Sequence, residues 1–129
     1  MEGVKNGVEV QSNFMNLKEI SIDKVREDVL SVLAPGENVI QVFKTVRDQV
    51  IFTDKRVMTV NVQNLVGKRV AFFSYPYSKI QYYGIETAGV FDIDSELILA
   101  FADGIQLTFD FKSRVDIKRI SSTIQQYIM

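Results

Sequence analysis

The sequence from residue 38 to residue 111 consists of short apolar stretches, and the clearest of them alternate strictly between hydrophobic and polar residues. Alternation of this kind is typical of β-strands with one buried face. Seven such stretches follow one another through short connections, so we expect neighbouring strands to be antiparallel. The last two meet at Asp103-Gly104, a dipeptide typical of hairpin turns.

The residues before these strands show a different, helical period. Apolar residues recur at spacings of three and four between Ile22 and Leu33, and Pro35-Gly36 follows them. This pattern predicts a helix over residues 17–34, because proline disfavours helical geometry in the residue before it. Residues 1–15 show no clear period, so we expect a poorly ordered lead-in.

The residues after the strands again have a helical period. Ile117, Ile120, Ile124 and Ile128 fall on one stripe, which predicts a helix over residues 114–128. Seven twisted strands fold into two packed sheets or a partly open barrel, and the open end of a barrel would bury this stripe.

The sequence therefore predicts a mainly β protein in which flanking helices accompany a barrel. The architecture is pleckstrin-homology (PH)-like: seven antiparallel strands capped by a C-terminal helix, with an extra N-terminal helix. Residues 16–129 form one domain, as 129 residues allow. A plain β-sandwich is the alternative, but it offers the last helix no defined place.

Composition excludes many kinds of catalysis. The chain has no His, Cys or Trp, so disulfides, zinc sites built on Cys or His, and Cys or His catalysis are excluded. The net charge is −1, which gives no overall basic bias toward nucleic acid. No apolar run is long enough to cross a membrane, and the N-terminus has no signal-peptide core. We expect a cytoplasmic protein without a cofactor.

Three segments, in this order, resemble the bacterial PH domain family. They are VRDQVIFTDKR at 46–56, GKRV with SYPYSKI between 67 and 80, and ETAGVFDIDSEL at 86–97. The resemblance runs from about Leu30 to the C-terminus. It implies a PH-like barrel with a helix on each side, and homo-oligomers, often rings, in a bacterial cytoplasm. It implies no activity, and it supplies no catalytic or lipid-binding residues.

Three basic residues form a candidate anion or lipid site. Arg47 lies in the loop between the first two predicted strands, and Lys68 and Arg69 belong to a loop that we expect at the same end of the barrel. Phosphate recognition needs several converging cations, and Asp48 adjoins Arg47. Solvated loop ends are the alternative that we favour.

Carboxylates at a spacing of two form a candidate metal site. On an extended strand Asp92, Asp94 and Glu96 would project from one face, with oxygen ligands suited to Ca²⁺ or Mg²⁺. A flat row does not converge on one ion, so we favour a solvent-facing acidic ladder. Glu86 or Asp94 could serve a carboxylate enzyme, but no spacing supports a catalytic pair.

The distribution of charge favours self-assembly. Residues 36–79 carry seven Lys or Arg against three acids, whereas residues 80–110 carry six acids and no Lys or Arg. A basic face can meet the acidic face of a second copy, and such a contact can close a ring. The predicted interface comprises Arg47, Lys68, Arg69, Tyr75, Tyr77, Asp92, Asp94 and Glu96. The two faces could instead neutralise each other within one subunit.

The sequence thus predicts a non-catalytic, self-assembling interaction module. Its partners would be itself and an unidentified protein, with no nucleic acid. The alternative is a membrane-surface adaptor that binds anionic lipid weakly through the loop cations.

Overall fold

The computed structural model describes residues 3–5, 8–10, 12–63, 69–87, 94–112 and 117–128. Its strands are β1 (Gly3–Lys5), β2 (Val8–Val10), β3 (Asn13–Ile20), β4 (Val39–Lys44), β5 (Gln49–Thr53), β6 (Arg56–Val62), β7 (Val70–Pro76), β8 (Tyr82–Thr87), β9 (Ser95–Ala100) and β10 (Gln106–Phe111). The α-helices are α1 (Glu27–Leu30) and α2 (Ile117–Ile128). Single 3-10 turns lie at Ile22–Lys24, Tyr77–Lys79 and Ala102–Gly104.

Eight strands form one open, mixed sheet in the order β7-β6-β5-β4-β3-β10-β9-β8, and β1 pairs with β2 separately. The seven predicted strands correspond to β4 through β10, and their mutual pairings are antiparallel. The eighth, β3, lies between β4 and β10 and runs parallel to β10. The expectation of seven antiparallel strands was therefore incomplete, because β3 joins the first and last of them into one sheet.

The inner face of the sheet holds the main core. Helix α2 covers it with Ile120 and Ile124, both fully buried, as its apolar stripe predicts. The aromatic centre of this core consists of Phe14, Phe43, Phe52, Phe109 and Phe111. Burial of this apolar surface is the main force that holds the sheet in its curved form.

A second, smaller core lies on the outer face of β4, β5 and β6. Val29 of α1 is fully buried there against residues that alternate with the inner ones: Val42, Ile51, Met58 and Val60. The segment before β4 therefore covers the outside of this half of the sheet.

The predicted helix over residues 17–34 is wrong at its start. Residues 13–20 form β3, which also begins inside the predicted lead-in. Phe14 and Leu17 are both buried although they are three apart, because Asn16 adopts a left-handed φ of 60° and the strand bulges against β10. A bulged strand thus imitates the spacing of a helix.

In the rest of that predicted helix, the structure has only the 3-10 turn at Ile22–Lys24 and the four residues of α1. The side chain of Gln49 donates to the carbonyl of Lys24 (3.2 Å) and accepts from the N–H of Arg26 (3.1 Å). Val25 and Arg26 are extended at this point. A helix needs the same backbone groups, so the contact with Gln49 replaces it.

Candidate functional site

The predicted cations meet at one end of the sheet. The turn between β4 and β5 is closed by the N–H of Thr45, which donates to the carbonyl of Asp48 (3.0 Å), and the Asp48 carboxylate accepts from the N–H of Val62 (2.9 Å). Val62 pairs with Val70, the residue after Arg69. Arg47 and Arg69 are therefore exposed at the same end, whereas Lys68 lies outside the described residues.

A cleft of about 870 Å³ opens beside this turn. Its three lysines come from β3, from β4 and from the position just after β10. The described residues that line it are Met15, Asn16, Lys18, Lys44, Thr45, Val46, Asp94 and Lys112. The sequence pattern missed this site because it placed Lys18 on a helix. Neither Arg47 nor Arg69 lines the cleft.

The acidic residues form a row, but in a different direction from the one predicted. Asp94 lies in a bend before β9, Glu96 lies on that strand, and Asp92 is outside the described residues. Across the sheet, Glu96 pairs in register with Glu86 on one side and Asp110 on the other. Among the described residues, no three acidic side chains are arranged to hold a metal ion.

Strands β7 and β8 form the two edges of the eight-stranded sheet. No residue of either strand is buried. Phe72 is 37% exposed, Tyr82 57% and Ile85 37%, so both edges present apolar side chains. Tyr75 of β7 is half-buried and its ring packs 5.5 Å from that of Phe101; burial raises the pKa of its hydroxyl.

Tyr77 belongs to the core and not to an interface. It is 1% exposed, and its hydroxyl donates to the carbonyl of Thr53 at 2.7 Å. Burial, reinforced by the charges of Asp54 and Glu37, raises the pKa of its hydroxyl. The prediction that Tyr77 anchors a surface contact is therefore wrong, because a buried side chain cannot reach a second molecule.

The opposite end of the sheet contains a buried ion pair that sequence reasoning missed. Arg56 donates two hydrogen bonds of 2.9 Å to the carboxylate of Glu37, whose side chain is 1% exposed. Thr53 Oγ1 (2.6 Å) and the N–H of Ala34 (2.9 Å) also donate to it. Desolvation alone would raise the pKa of Glu37, but these donors outweigh it and the pKa is lowered.

This ion pair is structural. It ties the turn before β4 to the start of β6, and Arg56 also donates to the carbonyl of Val32 (2.9 Å) and to Ser74 Oγ (3.1 Å). Every carboxylate oxygen of Glu37 is occupied by donors from the protein itself. The pair therefore fixes the segment that covers the outer core and offers no vacant group for chemistry.

The helices in the described part of the chain include none that is long and apolar enough to span a bilayer. The sequence model of the bacterial PH domain family matches residues 9–128. Two uncharacterised proteins of Bacillus subtilis (strain 168) are similar. YjqA is 45% identical over 82 residues, which are 64% of this chain and 66% of that protein. YozO is 25% identical over 114 residues, 88% of this chain and 98% of that protein.

Solved structures share the fold. A DUF1696-family protein with a pleckstrin-homology domain from Shewanella loihica PV-4 has a TM-score of 0.76 at 29% identity, over 89% of this chain and 99% of that one. A pleckstrin homology domain from Shewanella amazonensis SB2B has a TM-score of 0.63 at 32% identity, over 85% and 90%. A PH-domain-containing bacterial protein from Exiguobacterium sibiricum 255-15 has a TM-score of 0.66 at 20% identity, over 87% and 62%.

Proposed function

The chain belongs to the bacterial PH domain family, and from that premise we propose that it is a non-catalytic module that self-assembles into a closed homo-oligomer. In this form it presents a repeated surface to a protein partner. The observation that supports the proposal is the pair of edge strands, β7 and β8: within the described part of the chain neither pairs with a further strand, and neither contains a buried residue.

An uncovered edge strand exposes a row of backbone N–H and C=O groups that another strand can pair with. Natural proteins usually protect such edges with charged residues, proline or an overlying element. Strand β7 has no charged residue and only Pro76 at its end, and β8 has only Glu86. Their apolar side chains Phe72, Tyr82 and Ile85 would be removed from water by a paired strand.

The two edges belong to different strands, so pairing β8 of one subunit with β7 of the next is a heterologous contact. Such a contact leaves a free β7 and a free β8 at the ends of every open chain of subunits. Closure into a ring satisfies both. Self-pairing of β7 with β7 would instead stop at a dimer and leave both β8 edges free.

Charge favours an antiparallel arrangement of the two edges. Antiparallel pairing brings the start of β7, which follows Arg69, next to the end of β8, which carries Glu86. Arg47 lies at the same end as Arg69, and Asp94 and Glu96 lie beside Glu86. The contact would therefore bring basic residues of one subunit toward acidic residues of the next, which sets register and association rate more than affinity.

Light scattering coupled to size-exclusion chromatography tests the assembly. We expect a single oligomer larger than a dimer at micromolar concentration, and a monomer for Phe72→Lys, because this change places a charge on an apolar edge. Leu30→Lys is the matched control, since Leu30 is also exposed but lies on α1 and not on an edge strand. A wild-type monomer at low and high salt would overturn the proposal.

A charge exchange tests the antiparallel register. Arg69→Glu and Glu86→Arg should each weaken the oligomer, because like charges then face each other across the contact. The double variant should restore it. Lys55→Glu makes the same change of charge as Arg69→Glu at the opposite end of the sheet and should leave assembly unaltered. Failure of the double variant to restore assembly would exclude this register.

A further inference from the structure

We propose that the cleft between β3, β4 and the end of β10 binds a phosphate-bearing anion through Lys18, Lys44 and Lys112. The proposal concerns a site distinct from the edge strands and does not depend on self-assembly. It also differs from the predicted loop site, because Arg47 and Arg69 do not line the cleft.

The pairing of the strands brings the three lysines together. Lys18 of β3 lies directly opposite Lys44 of β4 in the antiparallel register. The N–H of Lys112, just after β10, donates to the carbonyl of Leu17 at 2.9 Å, which holds Lys112 next to Lys18. The bulge at Asn16 contributes to this geometry, since it shifts the register of β3 against β10.

None of the three ammonium groups forms an ion pair within the described part of the chain, and Asp94 is the one carboxylate on the same wall. The ion pairs of the described chain join Arg26 to Asp28 and Arg56 to Glu37, and none involves Lys18, Lys44 or Lys112. Like charges directly opposite each other destabilise a sheet. An anion placed between them would relieve this repulsion and would accept a charge-assisted hydrogen bond from each amine.

The remaining wall of the cleft indicates the class of ligand. The cleft is open to solvent, and its volume of about 870 Å³ leaves room for a phosphate compound larger than inorganic phosphate. Met15 and Val46 are exposed apolar residues on the same wall, and Val46 is 100% exposed at the turn. A lipid headgroup at a membrane surface and a free polyphosphate share the required chemistry.

Substitution of Asp94 should change the affinity for an anion in the opposite direction to substitution of a lysine. Asp94 is the single carboxylate on the described wall of the cleft, and it repels an anion held by the lysines. Asp94→Asn should therefore tighten anion binding, whereas loss of a lysine should weaken it. A general change in folding would not move the two variants in opposite directions.

The experiment is a calorimetric titration of the full chain with sodium tripolyphosphate at low salt. A parallel sedimentation assay uses phosphatidylcholine vesicles with and without phosphatidylglycerol. Lys18→Gln/Lys44→Gln should weaken binding more than about tenfold, taking roughly fivefold per lysine near an anionic surface. Lys55→Gln removes one positive charge at the opposite end of the sheet, as the single variant Lys18→Gln does in the cleft, and should change the affinity less than about twofold. Thermal melting verifies that each variant is folded.

The outcomes separate the sources of the anion. Tripolyphosphate binding that is lost in the lysine variant supports the site with a free phosphate compound as ligand. Sedimentation with phosphatidylglycerol alone, lost in the same variant, supports it with a lipid headgroup. The proposal is overturned if neither probe binds, if Lys55→Gln weakens binding as much as the lysine pair, or if Asp94→Asn weakens it. Light scattering on the same samples reports assembly separately.

Discussion

Strand β3 divides the sheet into a first half, β4 to β7, and a second half, β8 to β10, and the two halves are buried to different extents. Strands β5 and β6 are buried along nearly their whole length, because the main core lies on one side and the Val29 core on the other. Strands β9 and β10 mostly alternate between buried and half-buried residues. Strands β5 and β6 therefore have little outer surface left for binding, whereas the outer face of β9 and β10, with Glu96 and Asp110, is partly accessible.

The largest predicted effect compares the outer faces of the two halves directly. Ile51→Ala should cost about 3 kcal/mol of unfolding free energy, because Ile51 is fully buried and its loss leaves a cavity. Ile98→Ala, the same substitution on the half-buried outer face of β9, should cost less than about 1 kcal/mol. Denaturant unfolding measures both values. Equal costs would mean that the two outer faces are covered to the same extent.

A smaller effect concerns the ion pair between Glu37 and Arg56, which holds in place the segment that covers the outer face of β4, β5 and β6. Glu37→Gln should cost about 2 kcal/mol at pH 7, because charge-assisted hydrogen bonds from Arg56 and Thr53 are weakened. The pKa of Glu37 is lowered on folding, so the unfolded chain binds the proton more readily. The stability from this group is present above its ordinary pKa of 4.5 and is lost as the pH falls through the folded pKa.

Unfolding curves of wild type and Glu37→Gln between pH 7 and pH 2 would measure this difference. The two proteins should converge in acid, where the protonated Glu37 resembles glutamine in shape and charge. A gap that stays constant with pH would indicate that the carboxylate charge contributes nothing to the fold.

The smallest effect concerns β3, the strand that joins the two halves. Lys18→Glu should raise stability by about 0.5 kcal/mol, because it replaces a like-charged pair with Lys44 by an opposite-charged one. The same variant should lose anion binding in the adjacent cleft. Thermal melting at low and high salt checks the gain, which should shrink with salt. A loss of stability would show that repulsion between Lys18 and Lys44 contributes little to the free energy of unfolding.

Much of the fold followed from local patterns. Alternation along Leu107, Phe109 and Phe111 predicted a strand, and the Asp103-Gly104 turn before it is present with Gly104 at a φ of 74°. The stripe through Ile120 and Ile124 predicted a helix that covers the core. These patterns succeed because each element buries one face, so apolar residues recur along the chain with the period of the helix or the strand.

The candidate sites were less accessible to sequence reasoning. The common end for Arg47 and Arg69 followed from an up-and-down strand order, and the structure confirms it. The exposure of Tyr77 could not be judged, since the turn after β7 folds it into the core. The self-assembly and its interface both stay predictions.

The sequence by itself determined seven of the ten strands, the final helix and the absence of His and Cys chemistry, since these depend on residue type and on neighbours along the chain. The tertiary structure alone decided that residues 13–20 form a strand, that Glu37 meets Arg56, and that Lys18, Lys44 and Lys112 share a cleft. These features join residues that are distant in sequence. The free energies that favour these features come from strand pairing, desolvation and charge. These interactions act through space and produce no periodic pattern in the sequence.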